Sequence, residues 1–261
     1  MSSKNLSVLI LTHRADPLFT QVLQSAHFAE FLLIADYQSG NDWKKLRQEL
    51  GRNTRNLRVF PQAKKQIQDF AAARNELIQK AESDWIFFLD SDEVLPPEAE
   101  EILNLCKEKN NYCLYKVSRH DVFHGKTLHF GESWHDQPIR FARKDSLRFT
   151  GAVHEIAKVQ KNQKIGHLDF SLQHFSHKNL TEFFAAIDQY CQIESQTRYQ
   201  KAPTKQQILK ELFLLPPLKF ILNYFFRLGF CDGFAGFAYA IMMSLHSLLL
   251  RIYLYEKYFI A

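Results

Sequence analysis

Asp90 and Asp92 stand two residues apart at the end of the apolar run Trp85-Ile86-Phe87-Phe88-Leu89. On an extended chain, side chains at that spacing point the same way. Two carboxylates so close raise one pKa unless a cation lies between them, and oxygen ligands of this kind suit Mg2+ or Mn2+. A diphosphate would complete the shell of such an ion. The same acids also suit the start of a helix, since Pro96, Pro97, Glu98, Glu100 and Glu101 follow and acids favour helix N-termini. The motif alone leaves both readings open.

The apolar run is too short for a free helix and rich in aromatics, so it reads as a strand buried on both faces. In an open parallel sheet, ligands gather outside the carboxyl ends of the strands, which is where these acids fall. The preceding chain repeats strand and helix. Leu6 to Leu11 predicts a strand, a helix follows through about Ala26, and Phe31 to Ala35 is a second strand closed by Asp36. A turn-rich stretch leads to a helix from Trp43 to Leu50, then a strand over Leu57 to Phe60 and a helix over Ile67 to Ala81. This alternation predicts right-handed βαβ units in a mainly parallel sheet flanked by helices.

Beyond a helix at about Glu98 to Lys107 the pattern changes. Tyr112 to Arg119 alternates like an exposed strand. Short strands or loops continue through Ile139 to Phe141, Ala152 to Glu155 and Leu168 to Phe175, as antiparallel additions at the sheet edge. From Leu180 the spacing of Phe183, Phe184, Ile187, Tyr190 and Cys191 is helical. The expected division is a nucleotide-binding α/β domain over 1–178 and a helical extension over 179–261.

That extension accounts for much of a high aromatic content, 14% with 23 Phe. Its uncharged run from Gly233 to Leu250 is at the lower limit of a membrane span and contains Gly236, Ser244, His246 and Ser247. Lys201, Lys205, Lys210, Lys219, Arg227, Arg251 and Lys257 surround the apolar stretches, which suits helices lying in the membrane interface with basic groups at the headgroups. Packing on the sheet or a dimer contact is the other reading.

A net charge of +5 without a basic stripe of stacking aromatics excludes a nucleic-acid partner, and fits an anionic membrane or a phosphorylated substrate. Cys106, Cys113, Cys191 and Cys231 have neither metal-ligand nor disulfide spacing, so a reducing cytoplasm is expected. The first residues carry no signal-peptide core, and no secretion through this end is expected.

Several ordered motifs run the length of the chain. They are Val8-Leu9-Ile10-Leu11-Thr12, Asp36, Ala73-Arg74-Asn75, Asp84-Trp85 leading to Asp90-Ser91-Asp92-Glu93, Gln137-Pro138-Ile139-Arg140-Phe141, Val153-His154-Glu155, His174-Phe175-Ser176, and the glycine-rich stretch from Gly229 to Gly236. In this set the chain resembles the family 2 inverting glycosyltransferases of the GT-A fold, and within them the bacterial lipopolysaccharide-core and lipooligosaccharide β-1,4-glucosyltransferases. It departs from them at Ser39-Gly40-Asn41-Asp42-Trp43, where a Ser-Thr-Asp-Gly-Thr-like run is usual, and after the first strand, where an Asn-Glu pair is usual.

The resemblance implies a UDP-sugar donor, a divalent cation, a lipid-linked glycan acceptor and the cytoplasmic membrane face. It implies that Thr12 and Asp36 hold the uracil and ribose side, that Arg74 meets the diphosphate, and that Asp90 lies near ribose and metal. Asp92 would ligate the metal directly, with His154 on metal or diphosphate and Glu155 as the base that deprotonates the acceptor hydroxyl. Arg140 and His174 would line the acceptor side, or be core polar groups, and Trp134 would stack on a sugar, a partly buried Trp being the other reading. From their residue types alone, Thr12 reads equally as a helix cap, Asp36 as an exposed turn acid and Arg74 as a solvent-facing helical residue. Two other functions share parts of this pattern. A sugar-1-phosphate nucleotidyltransferase needs a glycine-rich loop after the first strand, and Thr12 to Pro17 has no glycine. A non-catalytic membrane scaffold on the same fold is the other alternative.

Overall fold

A computed structural model describes residues 5–51, 56–64, 67, 69–132, 136–151, 156–159, 163–177, 179–199 and 202–260. The chain forms two compact units, residues 1–119 with 137–174, and residues 120–136 with 175–261.

In the first unit, β1 (Leu6–Thr12), α1 (Pro17–Ser25), β2 (Phe31–Asp36), α2 (Trp43–Leu50), β3 (Leu57–Pro61), α3 (Phe70–Lys80) and β4 (Trp85–Phe88) alternate along the chain. Then come β5 (Glu93–Val94), α4 (Ala99–Lys109), β6 (Leu114–Phe123), which runs on into the second unit, and there β7 (Lys126–Thr127). The first unit resumes with β8 (Ile139–Arg143), β9 (Phe149–Thr150), β10 (Ile156–Ala157) and β11 (Gly166–His174). The main sheet has the order β3-β2-β1-β4-β8-β6-β11-β5. β1 pairs in parallel with β2 and β4, and β2 with β3; β8 is antiparallel to both β4 and β6.

Continuous apolar runs give β1 and β4 two buried faces. Val8 and Ile10 pack with Phe19, Val22 and Leu23 of α1, while Leu9, Ile86 and Phe88 pack with Leu77 and Ile78 of α3. Trp85 stacks on Phe141 of β8 at 4.6 Å between ring centroids. Helix α3 begins at Phe70, three residues later than the periodicity predicts, because the Asp69 carboxylate accepts the Ala72 amide (2.8 Å) and caps it there. The antiparallel strands are added beside β4 as expected, but the exposed character read for Tyr112 to Arg119 is corrected: β6 lies inside the sheet with Leu114, Tyr115 and Val117 buried. Alternation marks a covered face. It does not say whether both hydrogen-bonding edges are taken.

The second unit contains α5 (Leu180–Thr197), α6 (Lys205–Ile221) and α7 (Gly233–Phe259). Phe183, Ile187 and Cys191 of α5 are buried with Met242, Leu250 and Leu254 of α7, whereas Phe184 and Tyr190 face outward. A π-helical turn over Leu222–Phe226 and a 3-10 turn over Gly229–Asp232 join α6 to α7. The glycine-rich motif builds this joint. A Cβ on Gly229 would stand 2.6 Å from the Asn223 carbonyl, and one on Gly236 2.0 Å from the Gly229 carbonyl. Asp232 is buried there and accepts the amides of His129 (3.0 Å) and Phe130 (2.9 Å).

Candidate active site at the strand ends

Thr12 and Asp36 end β1 and β2 in register. The Asp36 carboxylate accepts the Ser39 amide (2.9 Å) and the Trp43 indole N–H (2.8 Å), which fixes the loop that departs from the usual run. Asn41 in that loop donates its side-chain amide to the Arg14 carbonyl (2.6 Å). Thr12 is fully buried, and its hydroxyl accepts the Arg14 amide at 3.1 Å. Its side chain thus shapes the loop. The cap of α1 is Asp16, which accepts the Phe19 amide.

After Phe88 the chain leaves the extended conformation and turns over Asp90–Glu93, where the Glu93 amide donates to the Asp90 carbonyl at 3.0 Å. The extended geometry behind the period-two expectation does not hold over Asp90 to Asp92, and the two carboxylates take different partners. Asp90 accepts from Arg74 (2.9 Å) and from Arg140. Glu93, with no exposed surface, accepts the Asp90 amide (3.0 Å), Arg140 (2.5 Å) and Arg119 (3.2 Å). Burial works to raise the Asp90 carboxyl, but Arg140 first, then Arg74 and Arg119, hold it well below the usual carboxylate range. Arg74 does not face solvent. It is 6% exposed, with its guanidinium over the rings of Phe88 (5.1 Å) and Phe149 (5.2 Å).

Asp92 has looser company. Its carboxylate lies 3.4 Å from Arg14 and 3.7 Å from the His174 Nε2, and its side chain is 25% exposed. His174 reaches it because β11 pairs antiparallel with β5, setting His174 opposite Glu93. Burial pushes the Asp92 carboxyl up, with Asp90 and Glu93 adding to that push and His174 and Arg14 opposing it. The donor chemistry fits a divalent ion, with a carboxylate and an imidazole side by side and the carboxylate held by Arg14 at 3.4 Å, longer than the Arg74 pair on Asp90 and the Arg140 pair on Glu93. Among the described residues no group of three or more His, Cys, Asp or Glu forms a ready metal cage.

His154 and Glu155 lie outside the described residues, as does Trp134. The strands that flank His154 and Glu155 are described: β9 pairs antiparallel with β10, with Thr150 opposite Ile156. Asn75 fastens β9 to α3 by donating to the Phe149 carbonyl and accepting the Phe149 amide, both at 2.9 Å. Sequence reasoning assigned no role to Arg14, Asn75, Glu93 or Arg119. A signal existed for Glu93, which continues the Asp-x-Asp run, and for Arg14, which falls in the loop lacking the usual pair.

Residues 7–166 match the family described as glycosyl transferase family 2. The chain belongs to that family. Its fold is the GT-A fold of these enzymes, a mixed central sheet with flanking helices, here with an apolar C-terminal helix. Among solved structures, the chain is similar to S. aureus TarS 1-349 in complex with UDP-GlcNAc, at 11% identity over 97% of this chain and 91% of that one, TM-score 0.49. It is also similar to the mannosyltransferase PcManGT from Pyrobaculum calidifontis in complex with GDP-Man and Mn2+, at 14% identity over 93% and 73%, TM-score 0.49. Against the longer TarS structure, at 14% identity and TM-score 0.47, the match covers 87% of this chain and spans 45% of that one.

Proposed function

We propose that this glycosyltransferase moves a hexose from a UDP-sugar to a hydroxyl of a lipid-linked glycan, such as a lipopolysaccharide core, with inversion at the anomeric carbon. Glucose is the hexose that the resemblance favours. The observation that carries the reading is the split between the strand-end acids. Asp90 and Glu93 are neutralised by Arg74, Arg119 and Arg140, while Asp92 keeps a partly exposed carboxylate with loose cation contacts at 3.4 and 3.7 Å. Asp92 would hold Mg2+ or Mn2+ with His174 alongside, and His154 is a further candidate ligand. Such an ion, when bound, offsets charge on the departing UDP.

Asp36 and its loop form the uridine side, with Arg74 positioning Asp90 toward the ribose. The acceptor oxygen attacks the anomeric carbon, the bond from that carbon to the UDP oxygen breaks with its electron pair, and the hydroxyl proton passes to Glu155. The catalytic domain is taken as 1–178 and the helical extension as 179–261.

The extension fits the cytoplasmic face of a membrane. From Glu211 to Arg251 no charged side chain is exposed: Asp232 and Arg251 are buried, and Glu211, Lys219 and Arg227 are partly buried. The exposed side chains of that stretch include Phe213, Phe225, Phe226, Phe230, Phe234 and Phe237. The helical stretch Gly229–Phe259 is long and apolar enough to cross a membrane by length and composition, with 39% of its most apolar window buried. Buried Arg251 within it favours a helix lying at the interface, where exposed Lys205 and Lys210 meet anionic headgroups.

A panel of nucleotide sugars, screened for Mn2+-dependent thermal stabilisation, tests the donor, because a ligand of the native state raises its melting temperature. UDP-hexoses should stabilise, and Glu155→Gln should retain that stabilisation while losing transfer to the acceptor. Turnover retained in Glu155→Gln would falsify its role as base. Absence of any heat with UDP and Mn2+ in calorimetry favours the non-catalytic scaffold.

A further inference from the structure

Arg14 occupies an unusual place for a cation. It lies in the loop after β1, 17% exposed, with one guanidinium nitrogen 3.1 Å from Asp16 and another 3.4 Å from Asp92. Its backbone is held apart from its side chain, since its amide donates to Thr12 Oγ1 and its carbonyl accepts from Asn41. The main chain is therefore fixed, while among the described residues the guanidinium is held by the Asp16 and Asp92 carboxylates.

The charge at that mouth constrains what happens when ligands arrive. Asp92 already feels Asp90 and Glu93, and the cations that face it are Arg14 and the His174 imidazole when protonated. A divalent ion on Asp92 would sit beside the Arg14 guanidinium, and two cations that close repel. Released from Asp92, the guanidinium keeps Asp16 and has N–H donors turned free at the site, and a diphosphate brings oxygens that paired guanidinium donors match.

We propose that Arg14 is a stand-in cation for Asp92, released by the metal ion and taken up by the donor's diphosphate. This inference rests on the assignment of Asp92 and the strand ends to a metal-nucleotide site. It makes Arg14 a positioning and specificity residue through which metal and nucleotide affinities are coupled, and coupling of this kind is reciprocal. The exchange moves no covalent bond.

The test is calorimetry on the full chain with three titrations: MnCl2 alone, UDP in EDTA, and MnCl2 with UDP present. Replacing Arg14 by Gln removes one partly exposed ion pair, so Mn2+ alone should bind roughly fivefold tighter, while UDP in EDTA binds weaker by a similar factor. The increase in Mn2+ affinity caused by UDP should shrink accordingly. Arg14→Lys keeps the charge and should fall between the two, and a melting temperature near wild type shows that the Thr12 and Asn41 contacts persist. If R14Q binds Mn2+ alone no better than wild type, or UDP in EDTA no worse, the stand-in role is wrong. If wild type itself binds neither UDP nor Mn2+, the site assignment fails first.

Discussion

Asn75 and Phe149 exchange two hydrogen bonds of 2.9 Å, side-chain amide to main chain in both directions. The pair ties the middle of α3 to β9, five residues before His154 and six before Glu155 in sequence. The neighbouring Arg74 reaches from the same turn of α3 to Asp90. One helical turn thus fixes the acid at the strand end and the strand that leads to the proposed base.

Asn75→Ala leaves the Phe149 amide and carbonyl without these partners, and a lost hydrogen bond in a half-buried place costs about 1 kcal/mol. The proposed base would be displaced while the nucleotide side is untouched. We expect kcat to fall on the order of 100-fold, as for a misplacement of about 1 Å, with the affinity for UDP within twofold of wild type. Steady-state kinetics with a separate UDP titration reads both, and an equal loss in the two would refute the division of labour.

Arg140 and Asp92 should respond in opposite ways to removal. Arg140 is 3% exposed and bonds both Asp90 and the fully buried Glu93. Arg140→Met strands buried negative charge, so urea unfolding should show a loss of about 3 kcal/mol. Asp92→Asn loses only contacts at 3.4 and 3.7 Å, and stability should stay within about 1 kcal/mol of wild type. Binding of Mn2+ should nevertheless vanish in the Asp92 variant. A stable Arg140→Met, or an unfolded Asp92→Asn, contradicts this assignment of structural and functional acids.

How far the sequence carries the fold is seen by comparing β1 and β4 with β6. Strands buried on both faces read as unbroken apolar runs, so β1, β2 and β4 were visible, together with Asp36 and Asp90 at the ends of the last two. An interior antiparallel strand such as β6 carries Lys116, Ser118 and Arg119, and nothing in that pattern says that both of its edges are paired. Arg74 shows the same limit within the site. A charge in a helix reads as solvent-facing, and its burial makes sense only once Asp90, 16 residues on, folds back against it. The different partners of Asp90 and Asp92 were hidden because side-chain periodicity holds only while the chain stays extended, and the turn begins right after β4.

Two histidines give the second unit a pH dependence with a definite sign. His120 is buried and stands edge to face with His129 at 5.3 Å. Burial, then His129, lowers its pKa against the pull of Asp121 and Asp232. Burial likewise lowers His246, helped by Lys219 and Arg251 and opposed by Glu194 and Glu132. The unfolded chain therefore takes these protons first, near its ordinary pKa of about 6.5. Stability from the neutral rings is complete above that pH and is lost as pH falls through the lower folded values. Melting curves should show a drop from pH 7.5 to pH 5.5 that is smaller in the His120→Gln, His246→Gln double variant. Parallel profiles for the two proteins would rule the histidines out as its source.

The apolar tip between α6 and α7 allows a direct test of the membrane reading. Phe226 is 78% exposed and Phe234 72%, while Asp232 between them turns inward to cap His129 and Phe130. Water-exposed aromatics whose neighbouring charges are buried, as Asp232 is, or partly buried, as Arg227 is, make sense at a lipid surface, where each inserted ring gains about 2 kcal/mol of burial. The double variant Phe226→Asp, Phe234→Asp should fold normally, because neither side chain is buried, and its affinity for vesicles containing anionic lipid, read by sedimentation, should fall on the order of 1000-fold. UDP binding should be unchanged, and transfer to a small soluble acceptor should survive while transfer to a vesicle-embedded acceptor is lost. If the variant sediments as wild type does, the tip is not the lipid contact, and a change in oligomeric state on the same substitutions would assign that face to a second copy of the chain.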